Sequence, residues 1–276
     1  MAYKTIMLSL NEITVLPQLL QAGANLGKQF KAHIKGIYVI PAVQIFGAEA
    51  YAFSTTVFDG NNLFFKDRQA KVREQFEHAM KSEGLTFDFQ SVNSDFPDIA
   101  STIMDEARAV DLVVMASIAK KSDDPVDDDL VERVTIGCGR PVLVIPAMGK
   151  SNLSFDDVII GWDGGREAAR AVFDALPLLV KSRLCHVCTV NAPADTTVPG
   201  TGLAESLVRH GIKVETMKLV SAKTNAGDAL LRAADEMGSG LIVMGCYGHS
   251  RFTEMVFGGA TRHVLSHIER PILLSH

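Results

Sequence analysis

The chain carries the stretch Asp111-Leu112-Val113-Val114-Met115 and repeats its pattern as Gly240-Leu241-Ile242-Val243-Met244, 129 residues later. A second stretch, Arg140-Pro141-Val142-Leu143-Val144, returns as Arg270-Pro271-Ile272-Leu273-Leu274 at an offset of 130. Both repeated stretches are apolar runs of strand length. Because the two offsets differ by only one residue, we interpret the chain as an internal duplication.

Each half alternates short apolar runs with longer segments of helical period, which is typical of parallel strands joined by crossover helices. We therefore predict an α/β fold of two tandem domains, 1–147 and 148–276, each with a five-stranded parallel sheet. The last strands, Val142–Ile145 and Ile272–Leu274, would expose apolar edges unless the halves pair. An intrachain pseudo-dimer is expected for this reason, and a homodimer of chains remains open. The ten predicted strands are Thr5–Leu10, His33–Ile40, Thr86–Val92, Leu112–Ala116, Val142–Ile145, Val158–Trp162, Leu184–Val190, Lys213–Val220, Leu241–Gly245 and Ile272–Leu274.

The first half carries about 23 extra residues between its first and fourth strands, because the opening strands align at an offset of 152 rather than 129. The extra residues are assigned to Pro41–Asn62, an aromatic and nearly uncharged segment predicted as a loop. A charged helix is predicted to follow at Leu63–Glu83. A long apolar loop usually covers something, and the edge of its own sheet is the first candidate. In the second half, a helix is predicted at Ala226–Met237 with Asn225 as its N-cap.

Composition excludes several classes of protein. Lys plus Arg number 27 and Asp plus Glu number 32, which gives a net charge of −5 and no basic excess for binding nucleic acid. No apolar run approaches the roughly 20 residues of a membrane span. The short apolar stretch at the N-terminus is followed at once by Asn11 and Glu12, so no signal peptide is expected. Together with only four cysteines, these features predict a cytoplasmic protein with no membrane contact.

Glycines cluster after the predicted strand Leu241–Gly245. Gly245 and Gly248 are separated by two residues, and Gly258-Gly259 follows nine residues later, at the start of a helical pattern. Glycines allow close backbone approach to a phosphate, and a helix N-terminus favours anions. The alternative is a loop whose glycines serve only to turn the chain.

The spacing Gly-x2-Gly-x9-Gly resembles the nucleotide-binding motif of the universal stress protein family. The order of strands, Asp163 after the first strand of the second half and the repeated Arg-Pro also resemble that family. The resemblance implies a Rossmann-like fold, similar to adenine nucleotide α-hydrolases, and a site for ATP, with or without Mg²⁺. Family members place the aspartate and the end of the second strand near the adenosine, and the glycine loop around the phosphates. The residues that match these positions are Asp163, Val190, Met244, Gly245, Gly248, His249, Gly258, Gly259 and Ala260.

One departure from the family pattern concerns the residue after the third glycine of the motif. The family has Ser or Thr there, and this chain has Gly259. A side-chain hydrogen bond to phosphate, worth roughly 1 kcal/mol, is thereby lost. Thr261, His249 and Arg251 are candidates for partial compensation, and each is equally plausible as a solvent-exposed loop or helix residue.

The first half does not match the motif. Ala116, Ala119 and Asp128 stand at the positions of the three glycines, and Asn11 replaces the aspartate. Acidic residues also crowd this loop and would repel a triphosphate. We therefore predict that the first half has lost the nucleotide site. An acidic metal site and a merely solvated loop are the alternatives for the run of Asp123, Asp124, Asp127, Asp128 and Asp129.

Other motifs are assigned no chemistry. Cys185 and Cys188 have redox spacing, but they lie within a strand, where positions three apart face opposite sides. Gly149-Lys150-Ser151 resembles the end of a Walker loop, but no helical pattern follows. His263 and His267 are four apart on a helix without a third metal ligand in the sequence pattern.

The leading hypothesis is a stress-response protein that binds one ATP in its C-terminal domain, with a structural N-terminal domain. No catalytic residue is assigned and no Walker lysine is present, so binding is expected with at most slow hydrolysis. The second hypothesis is a scaffold of the same fold in which both sites are vestigial, and Gly259 favours it. A nucleotide α-hydrolase would need a further catalytic segment that the sequence does not offer.

Overall fold

A computed structural model describes residues 2–42, 50–117, 127–149, 153–192, 200–221, 225–247 and 259–276. For residues 50–63, 259 and 260 it describes the backbone only. Within these ranges, none of the helices is both long enough and apolar enough to span a bilayer.

Ten strands form one continuous sheet with the order β3-β2-β1-β4-β5-β10-β9-β6-β7-β8. Each half contributes five strands that are parallel to one another, which confirms the predicted α/β fold class. All ten predicted strands are present, with ends that differ from the prediction by at most one residue. The strands are β1 Thr5–Ser9, β2 His33–Ile40, β3 Phe87–Asn93, β4 Leu112–Ala116, β5 Val142–Ile145, β6 Asp157–Gly161, β7 Leu184–Val190, β8 Val214–Leu219, β9 Leu241–Gly245 and β10 Ile272–Ser275.

The two halves meet at the centre of this sheet. Strands β5 and β10 pair antiparallel, with Leu143 opposite Leu273 and Val144 opposite Ile272. Both strands are completely buried. The apolar edge of each half is therefore covered by the other half, which confirms the intrachain pairing expected from the sequence.

Helices cover both faces of the sheet. Apolar side chains of α1, α2, α5, α6 and α7 join one core cluster, and those of α3, α4, α8 and α9 join the other. The described helices are α1 Leu16–Phe30, α2 Ala50–Ser82, α3 Ala100–Ala107, α4 Leu130–Gly137, α5 Arg166–Asp174, α6 Leu176–Leu179, α7 Thr201–Arg209, α8 Ala226–Glu236 and α9 Gly259–His267. A short 3-10 turn at Ile13–Val15 precedes α1.

Helix α2 differs from the prediction. It begins at Ala50, inside the segment Pro41–Asn62 that was predicted as a loop, and it continues to Ser82. The chain has no proline between positions 42 and 96, so nothing in this stretch breaks a helix that extends backward from the charged segment. The loop prediction is therefore wrong for 50–62, and residues 43–49 lie outside the described ranges.

Helix α8 begins as predicted. The Asn225 side-chain oxygen accepts a hydrogen bond from the backbone N–H of Gly227 at 2.8 Å, which is the geometry of an N-cap. Behind this cap, Ala229, Leu230 and Ala233 are buried against the sheet. The cap and the apolar stripe together fix where the helix starts and which face it buries.

Strand order reverses in each half beside the strand that opens it. In the second half, β6 lies between β9 and β7, and the helices that follow β6 and β8 cover opposite faces of the sheet. Ligands of open parallel sheets bind at the carboxyl ends of the strands at such a point. The ends of β6 and β9 are therefore where a ligand site is sought.

Candidate functional site

Four described residues of the predicted site lie at or just after the carboxyl ends of three neighbouring strands. The last residue of β6, Gly161, lies opposite Met244 of β9 on one side and Cys188 of β7 on the other. Asp163 comes two residues after β6, and Val190 ends β7. Adjacent strands thus bring Asp163, Val190, Met244 and Gly245 to one edge of the sheet.

Asp163 is exposed, and its carboxylate helps to start helix α5. Its Oδ1 accepts a hydrogen bond from the backbone N–H of Gly165 at 2.7 Å, and Gly165 is the residue just before the helix. A side chain that accepts a bond from the N–H two positions ahead forms a turn typical of aspartate. Asp163 therefore has a local structural role in addition to any role toward a ligand.

Gly245, the first glycine of the motif, lies directly against helix α5. A Cβ atom at this position would come within 2.6 Å of the backbone N of Ala168 and 2.7 Å of the carbonyl carbon of Glu167. Such contacts involve main-chain atoms, which cannot move aside as a flexible side chain can. Close packing of β9 on α5 is thus sufficient to explain this glycine without a phosphate.

Helix α9 begins at Gly259, as the helical pattern after Gly258 predicted. Gly259 and Ala260 form its first residues, and Thr261 is 7% exposed. Thr261 is therefore not a surface residue, in contrast to one of the two interpretations considered from the sequence. Gly248, His249, Arg251 and Gly258 lie outside the described residues.

The two histidines of α9 do not form a metal site with any described residue. The rings of His263 and His267 stack with their centroids 4.2 Å apart, and Nε2 of His263 contacts the carboxylate of Asp228. In the part of the chain that the structure describes, no group of three His, Cys, Asp or Glu side chains is placed to hold a metal ion.

Electrostatics around the start of α5 centre on Glu167, a buried carboxylate. Burial alone would raise its pKa, but the hydrogen bond from Arg166 and the charges of Arg166 and His276 outweigh burial, so its pKa lies below the ordinary value. The buried negative charge is therefore compensated by residues of its own half.

The corresponding position in the first half is arranged differently. Asn11, which replaces the aspartate, donates from Nδ2 to the carbonyl oxygen of Val39 at 2.7 Å and accepts from the Val39 N–H at 3.0 Å. By register, Val39 corresponds to Val190 of the second half. Asn11 thus hydrogen-bonds both main-chain groups of Val39.

The acidic run of the first half is partly neutralised. Arg133 of α4 hydrogen-bonds to the carboxylate of Asp98, and its Nη1 lies 3.8 Å from carboxylate oxygens of Asp127 and Asp129. The hydrogen bond to Asp98 and these charges raise the pKa of Arg133. Of the other members of the run, Asp128 is exposed and Asp123 and Asp124 lie outside the described residues.

The cysteines of β7 are structural. Cys185 belongs to the core cluster on one face of the sheet and Cys188 to the cluster on the other face, as the strand period predicted. All four cysteines are buried and are not joined in disulfides. Burial raises the pKa of Cys185 to about 11 and that of Cys188 to about 12, so neither is a ready thiolate.

Sequence reasoning missed one polar cluster close to the candidate site, in which Glu132 of the first half meets Tyr247 and Arg262 of the second. A signal was present, because Glu132 and Arg262 occupy equivalent positions of the duplication, at the offset of 130 that also relates Arg140 to Arg270. Opposite charges at equivalent positions can pair across a pseudo-two-fold axis.

Comparison with known proteins finds similarity to one family in the C-terminal half of the chain. The sequence model of the universal stress protein family matches residues 154–276. A universal stress protein of Synechocystis sp. is 28% identical over 147 residues, which cover 52% of this chain and 49% of that protein. The chain thus spans about half the length of this curated relative.

One similar solved structure agrees with the fold over the whole chain, and a second resembles part of it. A universal stress protein from Archaeoglobus fulgidus has a TM-score of 0.71 at 18% identity and covers 98% of this chain and 95% of its own. A universal stress protein solved in complex with cAMP is 27% identical, with a TM-score of 0.35, over 44% of this chain and 96% of its own. Residues 154–276 thus match the universal stress protein family, and the fold of the whole chain is similar to that of a solved universal stress protein.

Proposed function

We propose that this chain is a stress-response protein that binds one ATP in its C-terminal half, 148–276, while the N-terminal half, 1–147, is structural. The observation that carries the proposal is the meeting of Asp163, Val190 and Gly245 at the reversal of strand order. The start of α9 at Gly259, directly after the glycine segment, supports it further. A helix N-terminus there supplies free N–H groups and a favourable dipole for phosphate.

Each residue that matches the motif has a proposed role toward ATP. Asp163 and Val190 would contact the nucleoside, with Met244 lining the strand end. Gly245, Gly248, His249, Gly258, Gly259, Ala260 and Thr261 would surround the phosphates. Mg²⁺, where present, would compensate the charge of the triphosphate, which supplies most of its oxygen ligands.

The asymmetry between the halves rests on Asn11 and Ala116. Asn11 already occupies the main-chain groups of Val39, and Ala116 stands in the place of Gly245. Asn11 would compete with a nucleotide for these main-chain groups, and Ala116 departs from the glycine motif. A single site per chain follows from this asymmetry.

We expect titration calorimetry to give close to one ATP per chain, with and without Mg²⁺. Gly248→Val should weaken binding by at least about tenfold, since a bulky side chain blocks a backbone hydrogen bond to phosphate. Ala119→Val, at the matching position of the first half, serves as the control and should bind like the parent. Two equivalent sites, or equal losses in the two variants, would contradict the asymmetric assignment.

Two substitutions separate the structural role of Asp163 from its proposed role toward the nucleoside. Asp163→Ala removes both the carboxylate and the hydrogen bond to Gly165, so the free energy of unfolding should fall by about 0.5–2 kcal/mol along with ATP affinity. Asp163→Asn keeps an oxygen acceptor for Gly165 and should remain as stable as the parent while binding ATP more weakly. If both folded variants bind ATP like the parent, Asp163 serves only to start α5.

A scaffold without nucleotide is the second candidate. It is favoured by the structural reasons found for Gly245 and Asp163, and by Gly259 in place of a hydroxyl residue. The 260 nm absorbance of the purified protein, followed by mass spectrometry of its released small molecules, tests for bound nucleotide. A protein that carries none and gives no heat with ATP is a scaffold.

A further inference from the structure

Glu132 is a buried carboxylate on helix α4 of the first half, and its polar partners belong to the second half. Its side chain is 11% exposed. Nε and Nη2 of Arg262 each lie 3.4 Å from a different carboxylate oxygen of Glu132, so the guanidinium approaches as a fork. The Tyr247 hydroxyl donates to the same carboxylate.

Tyr247 and Arg262 both keep the protons that they donate to Glu132. Burial, the hydrogen bond to Glu132 and the charge of Glu132 all raise the pKa of Tyr247, which stays a phenol and a donor. The hydrogen bond to Glu132 likewise raises the pKa of Arg262. One carboxylate of the first half thus receives a neutral donor and a cationic donor from the second.

In the sequence, the two donors lie on either side of residues 248–258, the glycine segment. Tyr247 immediately precedes Gly248, and Arg262 lies in the first turn of α9, four residues after Gly258. Tyr247 also has a left-handed backbone, with φ of 55°, which is costly for a residue with a bulky side chain. The contact with Glu132 helps to hold this conformation.

Duplication explains why such a contact exists only between unlike halves. Glu132 and Arg262 are equivalent positions. Two identical halves that met in the same way would place like charges together, either two carboxylates or two guanidinium groups, and these would repel. The contact is therefore specific to the pairing of the first half with the second.

We propose that Glu132 is a positioning residue for Tyr247 at the end of β9 and for the first turn of α9, so that the half without a nucleotide motif fixes the two described elements that flank the glycine motif of the other half. The effect on ATP rests on the proposed function. The effect on the two flanking elements is independent of any ligand. The proposed nucleotide site thus requires both halves of the chain.

The test uses the full chain with matched variants. Glu132→Leu removes the carboxylate while filling its space on a helix, and Glu132→Gln keeps the shape without the charge. The double reversal Glu132→Arg with Arg262→Glu restores opposite charges. Glu106→Leu is the control, because it removes another paired carboxylate of the first half, the partner of Lys35, on helix α3.

Two measurements are made on each variant. Hydrogen exchange should become faster in peptides covering 241–247 and 259–267 for Glu132→Leu, and the double reversal should restore protection in part. ATP affinity should fall by roughly three- to tenfold in Glu132→Leu, by less in Glu132→Gln, and recover in the double reversal. Glu106→Leu should change neither the exchange of these peptides nor the affinity.

The outcomes are distinguishable. If exchange in both peptides is unchanged in folded Glu132→Leu, the positioning role is refuted whether or not ATP binds. If exchange changes but the parent itself does not bind ATP, the proposed function fails and the anchoring of the two flanking elements stands. If the parent binds ATP and Glu132→Leu binds equally well, the dependence of the site on Glu132 is refuted.

Discussion

Replacing Gly245 with alanine is expected to lower the free energy of unfolding by about 1–3 kcal/mol, the cost typical of overpacking a filled interior. The added Cβ would meet backbone atoms of Glu167 and Ala168 at 2.7 and 2.6 Å, so either β9 or the start of α5 must shift. Urea unfolding of the parent and the variant measures the loss.

The matched control is Gly202→Ala. Gly202 lies inside helix α7, and a Cβ there meets nothing within 4 Å. Alanine at such a position should be neutral or stabilising by up to about 1 kcal/mol, because it restricts the unfolded chain without strain. Equal stability of Gly245→Ala and the parent would show that α5 moves freely away from β9.

The expected destabilisation of Gly245→Ala limits what a loss of ATP binding in that variant can show. Loss of ATP binding in a destabilised Gly245 variant would not demonstrate a phosphate contact, because the position of α5 and Asp163 would change as well. Gly248→Val is therefore the sharper test of the proposed phosphate contact. The motif contains at least one glycine whose position in the fold has its own packing reason.

Replacing Arg270 with methionine is expected to cost about 2–4 kcal/mol of unfolding free energy, because buried hydrogen bonds to a charged donor are lost. The Arg270 side chain is 6% exposed, and its Nη1 donates to the carbonyl oxygens of Ala234 and Ser239 at 2.8 and 2.7 Å. Methionine fills much of the space but leaves both buried carbonyl groups without this donor.

Arg140→Met is the control supplied by the duplication. Arg140 occupies the equivalent position in the first half, but it is exposed, and its Nε and Nη2 share one carbonyl acceptor, that of Arg108. Its replacement should change the unfolding free energy by no more than about 0.5 kcal/mol. Thermal or urea unfolding of both variants decides the matter, and equal losses would contradict the structural distinction between the two arginines.

The candidate site could be predicted from sequence only as far as local pattern reaches. Strand ends placed Asp163, Val190 and Gly245, and the parallel fold implied that they meet. The contact between Gly245 and α5 depends on how closely a helix lies on a strand, which periodicity does not encode. Similarly, nothing local to Glu132 indicates that residues 115 and 130 positions away approach its carboxylate.

The sequence by itself determined the duplication, the ten strands and the pairing of β5 with β10. The apolar pattern of each strand is a local property of the chain, and the last strand of each half is too apolar to remain an uncovered edge. It did not determine that α2 begins at Ala50, since no strong local signal marks that start. Only the tertiary structure decided which repeated arginine is buried and which is exposed. Burial depends on the elements that surround a residue, and the same Arg-Pro sequence meets different surroundings in the two halves.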